Sequence, residues 1–188
     1  SSSALPDRPL PPGQGWWPEH ITFEGCTFEA NGDGTTSSGT DLTFAGHAAR
    51  CMVRGCRLLG NAGADVERYP GTDGLTMHIA GPGHLIERCV MRRHRTLTHN
   101  NDDGDGVDLK DSWNRTYRDP QTGALLPMLT AELRYNLIED NEGAGLLLHQ
   151  GVRHVYAHHN VIRGNRAGVV IKSGAALADP MDGRAYAP

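Results

Sequence analysis

The sequence predicts an all-β fold: a right-handed single-stranded parallel β-helix, or solenoid, of about five to six coils. Three observations carry that prediction. First, five segments repeat: "ITFEGCTFEANG" from Ile21, "CMVRGCRLLGNAG" from Cys51, "HLIERCVMRRH" from His84, "AELRYNLIEDNEG" from Ala131 and "VYAHHNVIRGNRAG" from Val155. Second, aligning them on Cys26, Cys56, Cys89, Asn136 and Asn160 brings Asn31, Asn61, His94, Asn141 and Asn165 into one later column. Third, a short apolar strand follows each segment after a turn of variable length. These strands read Leu42-Thr43-Phe44, Leu75-Thr76-Met77, Val107-Asp108-Leu109, Leu146-Leu147-Leu148 and Val169-Val170-Ile171.

Within each segment apolar and polar residues alternate over short runs, which is the period of a strand. Apolar columns fall at Phe23, Val53, Ile86, Leu133 and Ala157, and at Phe28, Leu58, Met91, Ile138 and Ile162. One coil cannot bury its apolar side alone. Stacking at the strand spacing of ~4.8 Å joins the coils into one core. Consecutive anchors lie between 24 and 47 residues apart, which stacked coils with loops of unequal length accommodate. A β-sandwich of hairpins is the alternative, but columns of like residues are the product of stacking rather than of hairpin pairing.

The elements follow in order. Residues 1–19 hold five prolines and the pair Trp16-Trp17; proline cannot donate to a ladder, so a linker or wrapped end cap is expected there. Residues 20–174 form the β-helix domain. Residues 175–188 read as a C-terminal tail. Cys26, Cys56 and Cys89 stack as small buried thiols. Asn31, Asn61, Asn141 and Asn165 form a ladder that satisfies turn backbone groups. The outward column Glu24, Arg54, Glu87, Arg134, His158 alternates in sign from coil to coil and helps to set register.

Composition narrows the function classes. The 188 residues carry a formal net charge of −4, so no nucleic acid or anionic membrane surface is implied. No apolar run reaches the ~20 residues of a membrane span. The 24 glycines and 6% aromatics suit many turns around a slender core. The four cysteines lack metal-ligand spacing.

The candidate chemistry gathers on one outer face. In the second strand of each repeat the first and third residues point inward, so the second and fourth point out. Their columns are Thr43, Thr76, Asp108, Leu147, Val170 and Ala45, His78, Lys110, His149, Lys172. The acidic turn "NDDGDG", Asn101 to Gly106, leads into this face and matches the first half of an oxygen-rich calcium loop. Ser112 stands at the twelfth loop position, so a helix-flanked calcium hand is not expected. Asp73, Asp103, Asp105 and Asp108, from two neighbouring rungs, are the candidate Ca2+ ligands. The other reading is an Asp/Gly-rich turn without an ion. The excursion over residues 113–128 offers Trp113, Arg115 and Arg118, either as substrate contacts beside His78 or as a loop folded on itself.

At "DDGDGVDLK" the sequence resembles the calcium-dependent polysaccharide lyases of parallel β-helix fold, most closely the family 9 pectate lyases. The resemblance implies β-elimination on a uronate-containing acidic polysaccharide and a secreted or extracellular location. Asp105 and Asp108 match the second and last acids of the calcium pattern, Gly104 stands at the first, and Asp73 is the acid from a neighbouring coil. The family's catalytic lysine falls at Leu147. Lys110 is then the expected base, with Lys172 and His149 as nearby substitutes and Arg115 or Arg118 holding a uronate carboxylate. "IKSG" at Ile171–Gly174 resembles a polygalacturonase motif without the paired acids that precede it. A non-catalytic glycan-binding or structural module is the second reading, and a glycoside hydrolase, which needs two carboxylates ~5–9.5 Å apart, is the third.

Overall fold

A computed structural model of the chain describes residues 18–29, 31, 39–45, 48–60, 72–80, 83–95, 104–112, 129–149, 151–152 and 154–172. They wind into five coils of a right-handed parallel β-helix. The first coil holds β1 (Thr22–Glu24), β2 (Thr27–Glu29) and β3 (Gly39–Ala45). The second holds β4 (Met52–Arg54), β5 (Arg57–Leu59) and β6 (Thr72–Ala80). The third holds β7 (His84–Glu87), β8 (Val90–Arg92) and β9 (Val107–Ser112). The fourth holds β10 (Ala131–Arg134), β11 (Leu137–Glu139) and β12 (Ala144–His149), and the fifth β13 (Val155–His158), β14 (Val161–Arg163) and β15 (Ala167–Ile171). Corresponding strands pair in parallel, giving three five-stranded sheets: β1-β4-β7-β10-β13, β2-β5-β8-β11-β14 and β3-β6-β9-β12-β15.

Each repeat therefore carries three strands where the sequence alternation suggested two. The first segment breaks at a residue of positive φ: Gly25, Gly55, Arg88, Tyr135 and His159. Glycine takes that conformation freely, whereas an L side chain there costs about 1 kcal/mol. The alternation continues across the corner, which hides the break from a period-two reading.

Register follows the apolar columns. Leu42 pairs with Leu75, Leu75 with Val107, Val107 with Leu146, and Leu146 with Val169. Leu42, Leu75, Val107 and Leu146 join Val53, Ile86, Leu133, Leu58, Met91 and Ile138 in one core. Burying each large aliphatic side chain is worth about 1.5–3 kcal/mol. The fifth coil has no coil beyond it among the described residues, so its core-facing Val169 and Ile171 are 53% and 79% exposed.

Two side-chain ladders run through the corners. The Cys89 backbone N–H donates to Asn136 Oδ1 and the Asn136 N–H to Asn160 Oδ1, each at 3.0 Å. In the second ladder His94 N–H donates to Asn141 Oδ1 and Asn141 N–H to Asn165 Oδ1, each at 3.1 Å. Asn61 lies outside the described residues. The thiols of the cysteine column reach main-chain carbonyls, as Cys89 Sγ–H does to Val53 O. Burial pushes the Cys89 thiol up to about 11, so it is not a nucleophile. On the outer side of the first sheet Glu87 sits between Arg54, at 2.6 Å, and Arg134, at 2.8 Å. The Arg134 hydrogen bond, and then that of Arg54, hold Glu87 below the usual carboxylate range against its burial.

The third sheet leaves room for the second ladder by using glycine. Register aligns Asp41, Gly74, Gly106, Gly145 and Gly168 in one column. A Cβ on Gly74 would lie 2.4 Å from Gly106 O and 2.8 Å from His94 Cε1. One on Gly106 would meet Ile138 Cγ2 at 2.4 Å and Asn141 Nδ2 at 2.9 Å. Gly74→Ala is therefore expected to destabilise the protein by about 1–3 kcal/mol, read by urea denaturation. An unchanged midpoint would mean that both the Gly106 main chain and the His94 ring have slack to move aside.

Candidate active site

The outer face of β6, β9, β12 and β15 is built by strand alternation. Val107 and Leu109 face the core, so Asp108 and Lys110 face out. Thr76 pairs with Asp108 and Asp108 with Leu147. His78 pairs with Lys110 and Lys110 with His149, and Lys172 continues that column, its N–H donating to Leu148 O at 2.9 Å. His78, Lys110, His149 and Lys172 thus stand on four successive rungs. Of His78 only the backbone is described.

The centre of the face is Asp108. Its Oδ2 is 2.7 Å from Lys110 Nζ on its own strand. Its Oδ1 accepts a 2.8 Å hydrogen bond from His149 Nε2, diagonally across on the next rung. Burial pushes the Asp108 carboxyl up, but the bonds from His149 and Lys110 outweigh it and hold the group below the usual carboxylate range. Because the ionised carboxylate accepts the Nε2–H hydrogen bond, the lone pair of the neutral imidazole lies on Nδ1. Thr76, Asp108 and Leu147 point away from the core and are nonetheless buried, whereas Lys110 and His149 beside them keep 23% and 15% of their side-chain surface. An open cavity lined by Arg93, His94, Arg95, Asp140 and Glu142 lies elsewhere, after β8 and β11.

Asp73 and Asp105 do meet, on adjacent rungs, but in a structural arrangement. Asp73 Oδ1 accepts the Gly104 and Asp105 backbone N–H groups, each at 2.9 Å, and its Oδ2 accepts the Thr76 hydroxyl at 3.4 Å. Asp105 Oδ1 in turn accepts the Ala144 N–H of the following rung. Asp73-Gly74 and Asp105-Gly106 are therefore one device used twice. The aspartate caps the next coil's main chain, and the glycine makes way for a ladder side chain. That device accounts for much of the calcium-like spacing. Among the described residues no three His, Cys, Asp or Glu side chains come together as a metal-holding group. With Asp73 and Asp105 bound to amides and Asp108 to two cations, the described acids do not fit Ca2+ as a set. Asp103, Trp113, Arg115 and Arg118 lie outside the described residues.

Two relations were missed from sequence. One is the contact of the Asp108 carboxylate, an expected metal ligand, with both His149 and Lys110. The link between Asp41 and His94 was not seen at all. Its only sequence signal is an aspartate where the other coils place glycine.

The fold and face define a parallel β-helix carrying an Asp–His–Lys cluster on its third sheet. No protein-family model matches the chain, and no curated protein or solved structure is significantly similar to it. The likeness to family 9 pectate lyases rests on the short acidic motif alone.

Proposed function

We propose that the protein is a polysaccharide lyase that cleaves a uronate-containing polymer by β-elimination, with His149 as the base. The observation that carries this reading is the hydrogen bond from His149 Nε2 to Asp108 at 2.8 Å. It fixes the tautomer and points the basic Nδ1 away from its support. His149 is preferred to Lys110 as the base for a geometric reason. The single nitrogen of Lys110 is held against Asp108 at 2.7 Å, whereas the imidazole binds Asp108 through Nε2 and has a second nitrogen, Nδ1, for the substrate proton.

In this reaction His149 Nδ1 takes the C5 proton of the uronate. The electrons of the broken C–H bond form the C4–C5 double bond. The glycosidic oxygen leaves C4 with its own bonding pair and takes a proton from water, and the hydroxide so formed accepts the proton held on His149. Negative charge develops on the uronate carboxylate as the proton leaves. Lys110 and Lys172 flank His149 in the same column and stabilise that charge. The described carboxylates provide no calcium step, so none is assigned.

The test is growth of ultraviolet absorbance from the unsaturated product on polygalacturonate, alginate and other uronate polymers, with calcium and with chelator. Absorbance that grows in both conditions supports the reading. Growth only with calcium restores the metal to the mechanism through residues such as Asp103. No growth on any polymer sinks the lyase. The second reading, a non-catalytic glycan-binding module, draws on Leu147, which is apolar and buried at the position where the resembled family has its catalytic lysine.

A further inference from the structure

We propose that the outer edge of the first sheet carries a second, separate glycan-binding surface, built from an aromatic strip that takes the rings of an acidic sugar chain. Four rings adjoin on the last two coils. Tyr156 stacks on His158 with centroids 4.4 Å apart and planes 25° from parallel. His158 and His159 lie 4.9 Å apart, and Tyr135 lies 5.1 Å from His159. Tyr135 and Tyr156 are each 52% exposed. In a protein with 6% aromatic residues, two half-exposed tyrosines joined through two imidazoles form a patch that calls for an occupant.

The surroundings select the occupant. Arg88, Tyr135 and His159 follow one another in register at the corner after the first sheet. All three have positive φ and stand on successive rungs, ~4.8 Å apart. Arg88 is exposed and stands one rung from Tyr135, within a side chain's length of its ring. Glu132, in register with Tyr156, is already engaged by Arg134 at 2.9 Å and by His158 Nε2 at 3.0 Å. The further acid, Glu87, is held between Arg54 and Arg134. His158 and His159 share a 2.6 Å Nδ1–Nδ1 hydrogen bond. Ring faces suit the C–H faces of a pyranose, and the Arg88 guanidinium suits its carboxylate. The surface is on a different sheet from Asp108 and stands without the elimination chemistry.

The experiment is affinity electrophoresis of the full chain through gels containing polygalacturonate, with hydroxyethyl cellulose as the neutral control. The double variant Tyr135→Ala/Tyr156→Ala is expected to bind polygalacturonate at least about tenfold more weakly. Tyr135→Phe/Tyr156→Phe keeps the rings and is expected to stay within about twofold of the parent, and Arg88→Ala to lose affinity for the acidic polymer. Thermal melts confirm that the variants fold. Retained binding by the folded alanine pair overturns the proposal, and so does absence of binding by the parent. Equal retardation in the neutral gel overturns the acidic-sugar assignment. Tyrosine-dependent binding without ultraviolet-absorbing product from any polymer refutes the lyase and leaves this surface standing.

Discussion

His149→Ala is expected to lower kcat/KM for elimination by about 10²–10⁴-fold while leaving the melting temperature close to that of the parent. The side chain is half-buried on an outer face, and its removal leaves Asp108 still paired with Lys110 at 2.7 Å. The folded state therefore loses one hydrogen bond and gains no unpaired buried charge. Catalysis loses the lone pair that accepts the proton. Added imidazole should restore part of the rate to His149→Ala and none to Lys110→Ala, whose loss removes charge stabilisation instead. If Lys110→Ala is inert and His149→Ala turns over normally, the two roles are exchanged. Asp108→Asn separates positioning from proton transfer, because the amide can present an N–H to Nε2 and so favour the wrong tautomer. The depressed Asp108 carboxyl also sets a pH limit. Its stabilisation is present above the unfolded value near ~3.9 and is lost as pH falls through the folded value below it, so the site stays assembled through weakly acidic pH.

Much of the winding was legible because stacking repeats a demand on every coil. Leu42, Leu75, Val107, Leu146 and Val169 must all be apolar to share one core, and that column aligned correctly before any coordinates. Asp73 and Asp105 were likewise placed on neighbouring rungs, as their register confirms. What each carboxylate does was not legible. An oxygen that caps a main-chain N–H and one that waits for a cation have the same sequence spacing, and only the direction of the Asp105 and Ala144 amides distinguishes them. The His149–Asp108 bond escaped for a related reason. It runs diagonally between columns, whereas column reading compares residues straight along the stack. The corner that splits each first segment into two strands stayed hidden because, in the last three coils, Arg88, Tyr135 and His159 occupy a conformation that sequence rules assign to glycine.

His94→Ala is expected to cost about 3–5 kcal/mol of stability, more than any other single truncation of a polar side chain described above. His94 and Asp41 are both 0% exposed at the side chain and meet at 3.0 Å. His94 belongs to the third coil and Asp41 to the first. The imidazole is longer than an asparagine amide, so it passes over Gly74 and spans a coil that the amides do not cross. Its Nδ1 lies 2.8 Å from Asn141 Oδ1, an oxygen whose identity is set because Asn141 Nδ2 donates to Asn165 Oδ1. Both ring nitrogens thus face acceptor oxygens, one on the first coil and one on the fourth. Among the described residues, removing the ring leaves Asp41 with the hydrogen bond from the Asn31 amide at 3.0 Å, and it opens a void beside Gly74. The decisive comparison is Asp41→Gly/His94→Asn, which rewrites the pair into the glycine and asparagine of the other coils. It should recover at least about half of the lost stability, because the buried charge and the side chain that neutralises it leave together. Urea midpoints for the parent, His94→Ala and the double variant measure this directly. A double variant no more stable than His94→Ala would show that the clamp between the first and third coils, rather than neutralisation of Asp41, is what His94 supplies.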